Sequence, residues 1–200
     1  MGITEHGPGI PGTVDPFYFK GLDIAPKKLY GVDILHGCEI NVLKDGELSL
    51  EEQYMKWLDY AIVGIHKQCY KDAGKEKNTD NVIKCMQHPK VKFVSHPDDD
   101  NTPLDYVRLV QAAKEYGVAL EVNNSSFLKQ EKRKNCLENY RTMLKLCEEY
   151  QVPIIVSSDA HDPEYVGRFE EAVNFIEEVG FNKALILNGD EGKLKEFMNE

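Results

Sequence analysis

The amino-acid sequence contains no long apolar run, no Cys-x-x-Cys pair and no excess of basic residues. A membrane-spanning helix needs roughly 20 consecutive apolar residues, so none is expected here. The first residues lack the basic and hydrophobic regions of a secretory leader, so we expect no export. The five cysteines are odd in number, which indicates reduced, mostly buried thiols of a cytoplasmic protein rather than a disulfide framework.

The charge balance excludes a further class of function. The formal net charge of -10 argues against a nucleic-acid-binding surface, because acidic side chains repel the phosphate backbone. An anionic substrate would therefore need a metal ion or a local basic pocket. With 42% hydrophobic residues among 200 and no linker, the chain is expected to fold as a single domain over residues 1–200.

Apolar strands alternate with amphipathic helices along the chain. This alternation predicts a parallel sheet with helices outside, and its regular spacing favours a (β/α) barrel. An open doubly wound sheet is the weaker alternative, because no G-x-G-x-x-G motif is present. The predicted strands cover residues 2–4, 32–39, 60–65, 91–96, 118–122, 152–156 and 184–187. The predicted helices cover about 79–88, 103–116, 136–150, 169–179 and 192–198, with 47–59 partly helical.

Polar residues follow the ends of these strands. Asp159 and His161 lie two residues apart after the apolar strand 152–156, so strand periodicity places both on one side. A carboxylate and an imidazole suit a cation such as Zn²⁺, Mn²⁺ or Fe²⁺, although one such pair is more often a helix cap beside a solvated histidine. Repetition at other strand ends favours the metal-site interpretation. The candidate ligands are His6, Glu39, His66, His96, Asp159 and His161.

Two histidines do not fit this pattern. His36 has the opposite strand parity from Glu39, and His88 lies at a helix end before Pro89. Both are expected to be structural.

Six ordered motifs resemble the PHP (polymerase and histidinol phosphatase) superfamily, and the nearest branch is the small single-domain phosphoesterases. The resemblance implies a distorted seven-stranded (β/α) TIM-like barrel. It also implies a centre of up to three Zn, Mn or Fe ions, with zinc favoured, in which a metal-activated hydroxide hydrolyses phosphate esters. The motifs are Glu5-His6-Gly7-Pro8, Gly37-Cys38-Glu39-Ile40-Asn41, Gly64-Ile65-His66, Ser95-His96-Pro97, Glu121-Val122-Asn123-Asn124-Ser125-Ser126-Phe127 and Ser158-Asp159-Ala160-His161.

The same resemblance assigns roles by position. Glu39 would bridge two metals, with His66 and His96 completing one site and Asp159 binding the other. His6 and His161 would share the third metal. Asp159 would also steady or deprotonate the attacking water, so Asp159 and Glu39 are the candidate catalytic residues. The candidate substrate-binding residues are Asn123, Asn124 and Ser125.

The sequence departs from the family at its beginning. The family starts with a His-x-His strand, which is absent here, so we expect the first βα unit to be missing. Either the chain starts late or it is a shortened natural protein, and we favour the first explanation. Fewer than three metals are then expected, together with a homo-oligomer formed through the broken barrel edge.

Two alternative functions remain open at this point. One is a truncated, non-catalytic barrel that binds a metal or another ligand. The other is an amidohydrolase-type barrel, which is weaker because no lysine stands at a strand end in place of Glu39. The expected partner is a small phosphorylated substrate, with neither a membrane nor nucleic acid. The basic residues Lys129, Lys132 and Arg133, in the loop after Phe127, are the candidate anion contacts, but we favour their interpretation as a solvated charge run.

Overall fold

The structure is a computed structural model that describes residues 1–199. Its central feature is a sheet of six parallel strands, which follow one another across the sheet in chain order. Two further short strands, β2 and β3, form a separate antiparallel pair. The strands are β1 (Gly2–His6), β2 (Lys28–Leu29), β3 (Val32–Asp33), β4 (Leu35–Asn41), β5 (Tyr60–Gly64), β6 (Val91–Val94), β7 (Ala119–Asn123) and β8 (Ile154–Ser157).

Helices connect the parallel strands and cover the outer face of the sheet. The helix α4 shows why the local sequence folds in this way. Asp105 precedes it, and its carboxylate accepts hydrogen bonds from the backbone amides of Val107 and Arg108. Gly117 ends it in the left-handed conformation that glycine adopts without strain. The helices are α1 (Phe17–Lys20), α2 (Glu52–Met55), α3 (Lys75–Met86), α4 (Tyr106–Tyr116), α5 (Asn124–Leu128), α6 (Cys136–Tyr150), α7 (Glu170–Glu178) and α8 (Glu191–Asn199).

The inner face of the sheet changes character along the strands. Toward the strand starts it is apolar, where Tyr60 and Phe93 pack with Phe197 of α8. Toward the strand ends, the residues on this same face are Glu39 in β4 and Glu121 in β7. Apolar packing therefore closes one end of the sheet interior, and polar groups collect at the other.

The sheet curls so that its first and last strands approach each other. β1 and β8 are the outermost strands of the sheet order. Even so, His6 at the end of β1 lies with its Nε2 3.3 Å from Nε2 of His161, which follows β8. The fold is thus a curled, parallel α/β half-barrel whose strand ends converge.

The prediction of a strand at 184–187 is wrong. These residues form parts of two 3₁₀ turns, Lys183–Leu185 and Leu187–Gly189, and only one parallel bridge joins Ile186 to Ile154. The side-chain amide of Asn188 makes the hydrogen bonds that a neighbouring strand would make. Its Oδ1 accepts from the backbone amide of Val156 at 3.1 Å, and its Nδ2 donates to the backbone carbonyl of Val156 at 2.6 Å. The main sheet within residues 1–199 thus has six strands instead of the seven that the sequence predicted.

Most other element predictions agree with the structure to within a few residues, and the helix predicted at 136–150 has those bounds. Residues 32–33 are an exception, because they pair with β2 and a separate strand begins at Leu35. Within residues 47–59 only Glu52–Met55 is α-helical. The absence of a preceding βα unit stays a prediction. No helix within residues 1–199 has the length and apolar character needed to cross a membrane.

Candidate metal centre

The candidate ligands converge at the carboxyl ends of the strands. Glu39 is on β4, and His66 and His96 follow β5 and β6 by two residues each. His6 ends β1, while Asp159 and His161 follow β8. Parallel pairing places all of these ends along one rim of the sheet, where residues far apart in sequence become neighbours.

Glu39 lies at the centre of this group. Its Oε1 is 3.1 Å from Nε2 of His96 and 3.4 Å from Nε2 of His66. Its Oε2 is 3.2 Å from Nδ1 of His6. The two oxygens of one carboxylate therefore face different histidines, which is the arrangement of a bridging ligand.

Electrostatics favour the ionised form of Glu39. Burial acts to raise its pKa, but hydrogen bonds from His66 and His96 outweigh burial and hold the pKa well below its usual value. Burial lowers the pKa of His66. Burial acts in the same direction on His96, yet its hydrogen bond and charge interaction with Glu39 leave its pKa raised. An ionised carboxylate beside a neutral imidazole is the state in which both groups bind a cation.

The spacing of the donor atoms fits a metal ion. Nε2 of His66 and Nε2 of His96 are 3.2 Å apart, and ligand atoms around a tetrahedral zinc ion at about 2.0–2.1 Å are about 3.3 Å apart. Three donor atoms, one each from His6, Glu39 and His66, lie within 4.8 Å of one another. The buried Nδ1 of His6 makes no hydrogen bond to any residue in the range 1–199, because Glu39 is near but poorly aligned. A buried nitrogen without a hydrogen bond has its lone pair or proton unsatisfied by protein, which fits a metal-binding role for His6.

Two candidate ligands have strained backbones. His96 has φ of 30° and Asp159 has φ of 49°, both in the left-handed region that non-glycine residues rarely adopt. Asp159 turns its Oδ2 toward Nδ2 of Asn123, at 3.2 Å, and its Oδ1 toward Nδ1 of His161, at 3.5 Å. Strain of this kind persists where surrounding contacts enforce it, commonly at functional sites.

Sequence reasoning missed the role of Asn41. Its Oδ1 accepts a hydrogen bond from Nδ1 of His66 at 2.8 Å, which orients the imidazole with its Nε2 toward the Glu39 carboxylate. Its Nδ2 donates to the carbonyl of Pro8 at 2.9 Å. The signal was available, because Asn41 lies two residues after Glu39 and so shares its side of the strand.

Glu121 was also missed. Its carboxylate accepts from the backbone amide of His96 at 2.6 Å and from the hydroxyl of Ser157. Burial raises its pKa to about 7. Because β7 lies between β6 and β8, this one side chain ties together the ends of the strands that carry His96 and Asp159.

The predicted substrate-binding residues occupy different places. Asn123 contacts Asp159 and also caps α5 by accepting from the amide of Ser125 at 2.7 Å. Oδ1 of Asn124 accepts from the amide of Ala172 at 2.9 Å, which directs it toward α7. All three candidates are buried, and their contact with a substrate stays a prediction.

The two histidines predicted to be structural make contacts outside the centre. Nε2 of His36 is 3.0 Å from the carbonyl of Pro26, and Nε2 of His88 is 2.9 Å from Oε2 of Glu52.

A cavity of about 800 Å³ opens beside the centre, and His66 and His96 form part of its wall. Lys129, Lys132 and Arg133 also line it. The interpretation of Arg133 as part of a solvated run is therefore wrong. Its side chain is only 20% exposed and donates to the fully buried Asp98 at 2.9 Å.

The chain is similar in sequence to known proteins over almost its whole length. A family model described as PHP-associated matches residues 138–188. A protein of Thermoanaerobacter sp. (strain X514), described as a probable phosphatase, is 40% identical over 200 residues, covering 99% of this chain and 81% of the relative. A probable phosphatase of Clostridium botulinum (strain Langeland) is 37% identical over 199 residues, with coverage of 99% and 81%.

Two solved structures share the fold at low sequence identity. A histidinol phosphate phosphatase of Lactococcus lactis, solved with zinc, L-histidinol and phosphate, has a TM-score of 0.57 at 16% identity, covering 90% of this chain and 82% of that one. A chain in the cryo-EM structure of an archaeal ribonuclease P with mature tRNA has a TM-score of 0.64 at 16% identity, with coverage of 99% and 80%. Together with the identity to the probable phosphatases over almost the whole chain, the fold shows that this protein belongs to the PHP superfamily.

Proposed function

We propose that this protein is a metal-dependent phosphoesterase that hydrolyses small phosphate monoesters. One observation carries the proposal: both oxygens of the largely enclosed Glu39 carboxylate lie within 3.4 Å of histidine nitrogens at the converging strand ends. The relatives described as probable phosphatases support the same activity. The zinc in the Lactococcus lactis structure supports zinc as the ion, with manganese or iron as alternatives.

The donor atoms divide into two groups around Glu39. Oε1 belongs with His66 and His96, and Oε2 belongs with His6. His161 extends the second group through its contact with His6, and Asp159 extends it through its contact with His161. We infer that each group holds a divalent cation. Such cations supply positive charge that neutralises phosphate oxygens and makes water more acidic.

The protein side chains then orient the groups that react. Asn41 fixes the tautomer of His66 through its Nδ1. Asn123 donates a hydrogen bond to Oδ2 of Asp159, which orients the carboxylate that would accept a proton from the attacking water. Glu121 holds the backbone of His96 in place. The ester itself would enter through the cavity that His66 and His96 line.

The test is phosphate release from phenyl phosphate by the purified chain. We expect turnover that disappears when a chelator removes the metal and returns with Zn²⁺, Mn²⁺ or Fe²⁺. Glu39→Gln should abolish it, whereas His88→Gln, which changes a histidine outside the centre, should not. Stable metal binding without any phosphate release would contradict the proposal and favour a non-catalytic metal-binding barrel.

A further inference from the structure

The cavity beside the metal centre has an unusual distribution of charge for so acidic a chain. Besides Arg133, which pairs with Asp98, four lysines line it, in a protein whose formal net charge is -10. Within residues 1–199 none of these four ammonium groups has an ion-pair or hydrogen-bond partner. The four lysines are Lys67, Lys71, Lys129 and Lys132.

Some lysines elsewhere in the structure pair with a carboxylate. Lys27 lies 2.7 Å from Asp59, Lys77 lies 3.1 Å from Asp45, and Lys183 lies 2.6 Å from Glu177. The four cavity lysines have no such partner among residues 1–199. The unpaired ammonium groups around the cavity leave a local positive potential, which concave walls strengthen.

The backbone brings these lysines together in two pairs. After β5, the amides of Cys69 and Tyr70 both bond to the carbonyl of His66 at 2.9 Å. This turn lies between Lys67 and Lys71, and both of these lysines line the cavity. After α5, a 3₁₀ turn over residues 130–132 places Lys129 and Lys132 on one side. The two turns follow β5 and β7, so they flank the end of β6, which leads to His96.

The two carboxylates in the same cavity form no ion pair with these lysines and are outnumbered by them. Asp72 accepts from the amide of Gly74 at 3.0 Å and from Nδ2 of Asn78 at 2.7 Å. Asp99 accepts from the amides of Asn101 and Lys134, each at 2.9 Å. Both acids are thus engaged by backbone and amide donors of their own loops.

We propose that the substrate of this protein is a phosphomonoester whose leaving group carries a second anionic group, a phosphate or a carboxylate, and that the four cavity lysines bind this group. The proposal rests on the proposed phosphoesterase function and deepens it. The ester phosphate would lie at the centre beside His66 and His96, and the second anion would lie between the two lysine-bearing turns. A leaving group with a cationic amine would meet these ammonium groups and be repelled.

The test compares four phosphonates that differ only in remote charge: benzylphosphonate, its 4-carboxy derivative, its 4-aminomethyl derivative, and 1,4-xylylenebisphosphonate. Each is titrated by calorimetry into the full chain loaded with Zn²⁺, so the readout does not depend on turnover. We expect the carboxy compound and the bisphosphonate to bind roughly tenfold more tightly than benzylphosphonate, and the aminomethyl compound more weakly. The two anionic compounds separate a carboxylate preference from a phosphate preference.

A fourfold variant should bind benzylphosphonate but should no longer bind the two compounds with a second anionic group more tightly. Its substitutions are Lys67→Ala, Lys71→Ala, Lys129→Ala and Lys132→Ala. The control Lys44→Ala/Lys145→Ala changes two exposed lysines that do not line the cavity, and it should keep the preference. Equal binding of benzylphosphonate and of the two compounds with a second anionic group would overturn the proposal, as would a preference that survives the fourfold variant. If the preference holds but neither phenyl phosphate nor 4-carboxyphenyl phosphate is hydrolysed, the anion site stands and the phosphoesterase function fails.

Discussion

Glu39 is the residue on which the proposed centre depends. Its side chain is only 13% exposed, its pKa is held well below the usual value against the effect of burial, and its two oxygens face different histidines. A buried charge persists only where it is paired and hydrogen-bonded. Here the pairing groups are His6, His66 and His96, which are themselves metal-binding side chains.

The tautomer of His66 depends on Asn41, and this dependence can be measured. Asn41→Leu should lower zinc affinity by about 10–100-fold, because the hydrogen bond that orients the His66 imidazole is lost. Asn41→Asp keeps an acceptor for Nδ1 of His66, so it should retain more of the affinity even though the donation to Pro8 is lost. Competition with a zinc chelator measures both variants. Equal loss in the two variants would mean that Asn41 acts only through packing.

At the scale of elements, strand periodicity explains what the sequence could reveal. Side chains alternate between the two faces of a strand, which predicts that Glu39 and His36 lie on opposite sides. The structure confirms this, because Glu39 faces the candidate centre and His36 contacts Pro26. The parallel sheet and the convergence of its ends followed from βα spacing, which also predicted a seventh strand at 184–187 that is not formed. Asn188 could not be predicted, because one carboxamide replacing a strand leaves no periodic signal. Asn41 was predictable in principle from its parity with Glu39.

At the end of β5, the backbone of Gly64 lies close to the side chains of His66 and Glu39. A Cβ added at Gly64 would meet the hydroxyl of Ser95, and it would lie 3.0 Å from Cε1 of His66 and 3.1 Å from Oε1 of Glu39. Gly64→Ala should therefore displace both side chains, destabilise the fold by about 1–3 kcal/mol and lower zinc affinity. Gly21→Ala meets no atom within 4 Å and serves as the control. Thermal unfolding and zinc titration measure the two effects, and unchanged zinc affinity in Gly64→Ala would contradict this geometry.

At the scale of the whole molecule, β1 forms one edge of the sheet and pairs only with β4 among the strands of residues 1–199. Ile3 on this strand is 36% exposed, and the β2–β3 pair beside it exposes Tyr30 fully. Unpaired edges with apolar side chains favour association. We therefore expect a homo-oligomer formed through β1.

Sedimentation of the purified chain tests this expectation. The unmodified protein should sediment as a dimer or larger species, and Ile3→Lys should shift it toward the monomer because a charge on an edge strand opposes pairing. Val107→Lys places the same charge on an exposed position of α4 and should leave the assembly intact. A monomer at all concentrations for the unmodified chain would show that the edge is not an interface.

We propose that Glu39 joins two groups of ligands into one metal centre. Elemental analysis of the purified chain beside Glu39→Ala and the control His88→Gln tests it most directly. We predict about two equivalents of Zn, Mn or Fe per chain, unchanged in His88→Gln and reduced to less than about one equivalent in Glu39→Ala. An unmodified chain that carries no metal, or a metal content that is the same in all three proteins, would contradict the account.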